Sequence, residues 1–407
     1  MRISRLISWA ALLTAIGMLS FHAASYAADP LRPDASEQVS LLRPHLLIPS
    51  WRIGPFDLRP SLSAGGTYDD NITLGTDGSK LSDMIWTITP ALTAVADNTM
   101  EGYGTLLSLQ YSPSFLFFTR HSDNDNVDQH ASLEGSWTMA KLSLGLKERF
   151  DETKTGIIEV GERLRQRTYY TELDSRYKLG DRTSVEMNPR LTISETEHLI
   201  GYTEWGVDGF LNRELSSKIT GGVGGSAGYV DPSDGPVQTY ERLLGRLMYA
   251  LTGKVEVDAN GGVEWRDFHS HQSTSTIPVF GIGAAYHPFE GTTLSLEAGR
   301  RDEISGALTN EDYTASTVSL AVRQRVLTDR LHVSFTGSYE NRDYHASAEQ
   351  VSGSRTDDFY LLRTEVELSL VRHFTVSAFY QYETDSSSVP ARRFSDNQFG
   401  FQGTWKL

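Results

Sequence analysis

Residues 224–228 read Gly224-Gly225-Ser226-Ala227-Gly228, the letters of a G-x-S-x-G motif, which in a hydrolase sets a serine on a strained strand-to-helix elbow. Here apolar alternation runs on through Ile219, Val223 and Tyr229 and no helical pattern follows, so the segment reads as a glycine-rich strand closely approached by its neighbours. Gly222-Val223-Gly224 with Ala227 fails as a dinucleotide fingerprint for the same reason. His269 and His271 share one side of a loop and could bind a metal, yet two ligands are too few for a site. Asp123-Asn124-Asp125-Asn126 with Asp128, and Asp69, Asp70 and Asn71, offer oxygens to Ca²⁺ but lack EF-hand spacing, and a plain polar loop is the default reading. No base stands where it would activate a nucleophile. The sequence therefore assigns no catalytic residue, no cofactor and no metal, and predicts a protein that is not an enzyme.

A second set of polar residues is larger and more regular. Arg149, Glu172, Arg176, Arg190, Arg242, Arg246, Arg266, Glu297, Arg301, Arg323, Arg325, Arg363 and Glu365 recur on the face opposite to apolar side chains. Lys147, Asp174, Glu186, Glu256, Asp258, Glu264, Glu340 and Glu367 share that face. Charges of both signs along one wall could set a transverse field that orients dipolar solutes and sorts ions. For any single residue the plainer reading is a salt bridge that stiffens the wall; their number points to a wetted interior.

Period two supplies the elements that carry these residues. In the last segment Asn397, Phe399, Phe401, Gly403, Trp405 and Leu407 fall on one face, with Gln398, Gly400, Gln402, Thr404 and Lys406 on the other. Val185, Met187, Pro189, Leu191 and Ile193 oppose Ser184, Glu186, Asn188, Arg190 and Thr192 in the same way. From Phe56 to Leu407 such segments run for about 10 to 16 residues, the length of a tilted membrane strand. The expected fold is all-β: a transmembrane antiparallel up-and-down barrel of about 18 strands, with 16 as the alternative. Tight turns such as Gly180-Asp181, Thr252-Gly253 and Thr328-Asp329 alternate with longer polar loops at 71–80, 120–125, 151–165, 231–237, 303–310 and 345–355. That asymmetry predicts long loops outside the cell and both termini in the periplasm. In this register Trp86, Trp205 and Trp265 form an outer girdle and Trp137 and Trp405 an inner one. A soluble propeller or sandwich also alternates, but no four-strand motif repeats at fixed spacing.

Composition narrows the class further. The 407 residues contain no Cys, which removes disulfide and thiol chemistry. The net charge of -15, with no clustering of Lys and Arg, disfavours nucleic acid as a partner. Residues 1–27 follow the layout of a signal peptide: Arg2 and Arg5, an apolar stretch from Leu6 to Leu19, then Ser25-Tyr26-Ala27. Residues 28–54 carry Pro30, Pro33, Pro44 and Pro49 and read as an extended periplasmic arm that could dock a periplasmic partner. The barrel domain is expected over 55–407.

An exported, Cys-free chain of alternating strands that ends in Phe399-Gly400-Phe401-Gln402-Gly403-Thr404-Trp405-Lys406-Leu407 resembles bacterial outer-membrane β-barrels. The resemblance implies that Phe399, Phe401, Trp405 and Leu407 are read by the barrel-assembly machinery; Leu407 departs from the usual terminal Phe or Trp. Leu62-Ser63-Ala64-Gly65-Gly66-Thr67-Tyr68-Asp69-Asp70-Asn71-Ile72, and Pro90-Ala91-Leu92 later, look like the opening strands of the putative β-barrel porin type 2 family. It implies a place in the outer-membrane lipid.

A barrel this wide is not filled by side chains and should hold water. The leading expectation is an outer-membrane porin-like channel for passive diffusion of small hydrophilic solutes, sugars or oligosaccharides among them. The alternatives are a barrel component of surface-polymer export and a structural surface barrel. No loop is long enough to suggest a deep constriction, so a rather open pore is expected unless the arm plugs it.

Overall fold

The computed structural model describes residues 51–100, 102–269, 273–306, 311–346 and 355–407. The expected signal segment and residues 28–50 of the expected arm lie outside them, as does His271. The described strands, in chain order, are β1 (Trp51–Ile53), β2 (Phe56–Asp69), β3 (Asp83–Asp97), β4 (Gly104–Phe118), β5 (Asn126–Thr138), β6 (Leu142–Ile157) and β7 (Glu162–Gly180). They continue with β8 (Thr183–Thr196), β9 (Tyr202–Ser216), β10 (Ile219–Pro232), β11 (Gln238–Thr252), β12 (Val255–Phe268) and β13 (Ser273–Tyr286). The set closes with β14 (Thr292–Ile304), β15 (Glu311–Arg325), β16 (Leu331–Ala346), β17 (Thr356–Val371), β18 (Phe374–Ser387) and β19 (Phe394–Lys406).

From β2 to β19 every strand pairs antiparallel with the next, and β19 returns to β2 through a ladder from Lys406↔Ser61 to Gln398↔Asp69. The sheet is thus a closed barrel of the expected eighteen strands, without an end strand left over for self-association. Its outer face is apolar. Tyr68, Trp86, Trp137, Trp205, Trp265, Phe399, Phe401 and Trp405 are all exposed on it, Trp86, Trp205 and Trp265 toward the loop end and Trp137 and Trp405 toward the turn end. Two aromatic girdles flanking an apolar band fit a bilayer and no aqueous surroundings.

Three local features differ from the expectations. The loop expected at 151–165 is a continuation of the β6–β7 hairpin, paired from Glu152↔Arg167 to Ile157↔Glu162. Its polar residues, such as Glu152, Lys154, Arg165 and Arg167, carry no apolar side, so period two is invisible there. The last residues of the expected arm belong to the sheet: Trp51–Ile53 pair with Phe56–Leu58 of β2 through a turn in which Gly54 takes φ +59°. Third, the β13–β14 ladder runs only from Tyr286↔Leu294 to Phe280↔Arg300, so Ser273–Val279 pair with β12 alone.

Buried apolar residues lie inside the barrel and mostly near its loop end. Leu74 and Ile158, from two different loops, pack with Phe359, Leu361 and Phe394. Ile72 packs with Ile85 and Phe118, and Tyr313 with Ala315 and Tyr344. Phe210, Leu244 and Val279, with Ile277, form a fourth group on β9, β11 and β13.

Candidate functional site

The inner wall of β8 to β12 is built around arginines that lie across glycines. A side chain at Gly228 would place Cβ 2.2 Å from Tyr240 Cζ, and one at Gly224 would place it 2.5 Å from the Phe210 ring. The two glycines of the G-x-S-x-G letters therefore make room for aromatic rings on the neighbouring strands. Residues 219–232 are one continuous strand with no elbow, and Ser226 is buried with no hydrogen-bond partner for its hydroxyl.

Four arginines contact these rings: Arg242 and Arg266 lie over Tyr240, Arg246 lies over Phe210, and Arg190 meets the Tyr240 hydroxyl. Arg190 pairs with Asp208 and with Glu204 at 3.5 Å, and its Nη2 donates to the Tyr240 hydroxyl at 2.7 Å. Tyr240 in turn donates to Glu204 at 2.5 Å. Arg246 pairs with Glu186 and lies 4.2 Å from the Phe210 centroid; Arg176 shares Glu186 at 2.6 Å. Arg242 and Arg266 both hold Glu264, at 2.6 and 2.8 Å. Contacts from β8 to β11 skip two strands, which is possible only along the concave interior. Each arginine has a carboxylate partner, so none is an isolated buried charge.

Other charges on the inner face occupy separate places. Arg149 pairs with Asp151 at 2.5 Å, and Glu172 holds Lys147 at 2.6 Å. Arg301 pairs with Glu303. Arg363 reaches Glu365 at 3.0 Å and lies 3.9 Å from the Phe379 centroid. Toward the turn end Arg323 meets Glu367 at 3.4 Å, while Arg325 pairs with Glu290 at 3.1 Å and Asp329 at 2.8 Å beside a turn. Glu297 is exposed on the same face as Arg301 and Arg323. The predicted set is thus one wall of many local pairs, not one cluster.

At the loop end the interior is spanned, contrary to the open pore expected from loop length. The short β6–β7 loop, residues 158–161, reaches the far wall. Glu159 accepts from the Tyr344 hydroxyl at 3.2 Å and from the Gly306 amide at 3.0 Å. Its carbonyl accepts from Arg355 at 3.1 Å, and that of Val160 accepts from Arg392. Burial pushes the Glu159 carboxyl above its usual range, against the pull of Arg342, Gly306, Ser305 and Arg355. The outer parts of β14 and β15 also lean inward. Gln238 on β11 donates to Asp312 on β15 at 2.9 Å, and Arg266 on β12 donates to the Asp302 carbonyl on β14 at 3.4 Å, both passing inside β13. Gly306 then accepts from Ile200 at 2.8 Å. Glu159, Glu204, Asp208, Gln238, Tyr240, Asp302, Asp312, Arg342, Tyr344 and Arg355 were not among the residues expected to line the pore. A local signal exists for the loop alone: Ile157, Ile158 and Val160 between Gly156 and Gly161 form an apolar run inside a polar stretch.

The oxygen-rich stretches act as loop anchors. Asp70 accepts from the Asn397 amide and side chain, both at 2.8 Å; burial raises its pKa, but these bonds outweigh that and lower it. Asn71 accepts from the Gly75 amide at 2.8 Å, Asp125 from Phe118 at 2.7 Å and Asp128 from Lys154 at 2.9 Å. Among the described residues no three His, Asp or Glu are arranged to hold a metal.

A closed antiparallel barrel with an apolar exterior, two aromatic girdles and a charged interior defines an outer-membrane β-barrel. Residues 238–406 match the family described as Putative beta-barrel porin 2. No curated protein matches the chain. Among solved structures it is similar to Pseudomonas aeruginosa OccK2 (OpdF) in complex with glucuronate, with 13 % identity and a TM-score of 0.47 over 86 % of this chain and 98 % of that one. It is similar to P. aeruginosa OccK3 (OpdO), with 9 % identity and a TM-score of 0.45 over 86 % and 95 %. A third is Acinetobacter baumannii OccAB3, with 9 % identity and a TM-score of 0.44 over 86 % and 99 %.

Proposed function

We propose that the chain is a passive outer-membrane channel for small hydrophilic solutes, gated at its loop end. The observation that carries this reading is the lumen: an eighteen-strand wall, too wide for side chains to fill, lined by paired charges of both signs. Paired arginines and carboxylates offer a solute hydroxyl both donors and acceptors, and favour polar neutral solutes over ions of one sign. The loop end faces outward and both termini lie in the periplasm. Residues 1–27 direct export, and Phe399, Phe401, Trp405 and Leu407 engage the barrel-assembly machinery. Residues 28–50 precede β1 in the chain and are the segment that would bind a periplasmic partner. The wall carries out passage, not turnover.

Single-channel conductance of the refolded chain in a planar bilayer, with and without residues 28–50, tests the reading. Ohmic steps interrupted by closures support a gated pore. Current appearing only once the arm is removed would replace it with a partner-controlled export barrel, and silence from both folded forms with a structural barrel.

A further inference from the structure

Among the described residues the longest gap in the wall lies between β13 and β14; between β5 and β6 the ladder also stops, at Gln129↔Glu152, but leaves only Asn126–Asp128 of β5 paired with β4 alone. Among the described residues the β13–β14 ladder does not resume beyond Phe280↔Arg300, and Thr274–Val279 of β13 pair with β12 alone, leaving a free edge toward β14. A comparable interruption at Pro90 and Pro113 between β3 and β4 lasts only from Ile88↔Phe115 to Leu92↔Tyr111 and keeps its register. Pro278 lies within the free edge, and proline, having no N–H to give a second ladder, sits within sheets at edges. The missing partner has moved inward: the Gln238–Asp312 and Arg266–Asp302 bonds hold the ends of β14 and β15 inside the barrel. Both faces of β15 are buried over Asp312–Ala315, whereas a strand between lipid and lumen buries at most one. An open edge facing lipid is strongly disfavoured unless something occupies it.

What borders the seam is also unlike the rest of the lumen. Ile277 and Val279 of the free edge pack with Phe210 and Leu244 as an apolar patch on the inner face. On the lipid side, at the foot of the seam, stands Arg300, opposite the exposed Phe280. Its Nη1 reaches Ser316 at 3.3 Å, while its buried Nε has no hydrogen-bond partner. A cation on the lipid face is costly and calls for an anion.

We propose that the β13–β14 seam is a lateral portal between the lumen and the outer leaflet, used by amphipathic anions with one apolar chain. The apolar chain passes along Ile277 and Val279, and the anionic end meets Arg300. The described ends of β14 and β15, Arg301–Ile304 and Asp312–Ala315, are the door: returned to the wall, β14 extends the same register, Thr276 coming opposite Ile304, and closes the seam. The proposal rests on the channel reading, and the test separates the two.

The chain has no Cys, so Thr276→Cys with Ile304→Cys introduces the sole thiol pair. In proteoliposomes, uptake of decanoate is measured against K⁺ conductance, oxidised and reduced. Oxidation is expected to lower decanoate uptake at least tenfold, reversibly, while conductance persists. Arg300→Gln is expected to slow decanoate but not decanol. Unchanged decanoate uptake in the oxidised form overturns the portal; conductance absent in both forms overturns the channel reading instead. Should the disulfide not form, a photoreactive fatty acid decides: labelling concentrated on residues 273–280 supports the portal, and labelling spread around the barrel overturns it.

Discussion

The Tyr344 hydroxyl donates to the Glu159 carboxylate at 3.2 Å, from opposite walls of the barrel. The contact joins β16 to the β6–β7 loop and is buried on both sides. A typical intramolecular hydrogen bond contributes about 0.5–1.5 kcal/mol. Tyr344→Phe should therefore raise the open-to-closed ratio of single channels by roughly two- to tenfold, at 1.4 kcal/mol per factor of ten. An unchanged dwell-time distribution would show that the loop does not limit the pore.

Closure should also depend on pH. Glu159 faces Tyr344 and Arg342 from β16, Arg355 from before β17, and Ser305 and Gly306 after β14; burial outweighs these partners and raises its pKa when docked. Below the ordinary glutamate value, about 4.3, the carboxyl is protonated whether the loop is docked or free, and closure is at full strength. As pH rises above that value only the free loop ionises, and closure weakens until the docked carboxyl ionises too. Open probability should thus rise with pH in the wild type. Glu159→Gln should flatten the profile and hold it at the low-pH level, which current recordings from pH 4 upward would check.

The packing of rings over glycines gives a third expectation. Any side chain at Gly228 meets Tyr240 at 2.2 Å, so Gly228→Leu must expel a ring that also serves Arg190 and Glu204. Overpacking of this kind costs about 1–3 kcal/mol. Urea unfolding in vesicles should show that loss, while Gly245→Ala, whose new Cβ would come no closer than 3.9 Å to another residue, should not.

The strands and their inward faces were legible because lipid and water impose period two on every membrane-spanning residue. Thus Trp86, Trp205 and Phe401 lie outside and Arg190, Arg246 and Glu186 inside, as the alternation predicts. Where that contrast ends, so does the signal. Lys154 and Arg165 sit opposite each other in the upper β6–β7 hairpin, on a stretch with no apolar face to betray a strand. The crossing of the lumen by Glu159 depends on Tyr344 and Arg355, far away in the chain, and no spacing reveals it. Gly224 and Gly228 were visible as letters, but their purpose appears only when Phe210 and Tyr240 are seen above them. The inward turn of β14 has one trace in the sequence, Pro278, which limits what its strand can pair with.

The terminal strand allows a kinetic prediction. Phe399, Phe401 and Trp405 are exposed on the lipid face, and Leu407 donates its amide to Pro60 at 3.1 Å, where β19 meets β2. If the assembly machinery reads this aromatic face, Leu407→Phe should speed the appearance of the heat-modifiable folded form, and Trp405→Ala should slow it. Both should leave the conductance of the folded barrel unchanged, since these side chains do not face the lumen. Equal assembly rates in pulse-chase would remove the signal from these residues.

Arg190 ties three groups of the paired wall together. Its side chain is only 10 % exposed and serves Asp208, Glu204 and Tyr240 together. Removing one member of a buried pair leaves the other charge uncompensated and costs about 3–5 kcal/mol. Arg190→Met should therefore destabilise the barrel by about that much in urea titration. Since Asp208 and Glu204 then face the lumen without a cation, the reversal potential under a KCl gradient should also move toward K⁺. Replacing Arg190, Glu204 and Asp208 together by Met, Gln and Asn removes the stranded charge and should recover much of the stability and the original selectivity. If the single and triple variants instead unfold alike, Arg190 supports the wall by packing over Gly206, where a Cβ would lie 2.9 Å from its Cζ, and not by its charge.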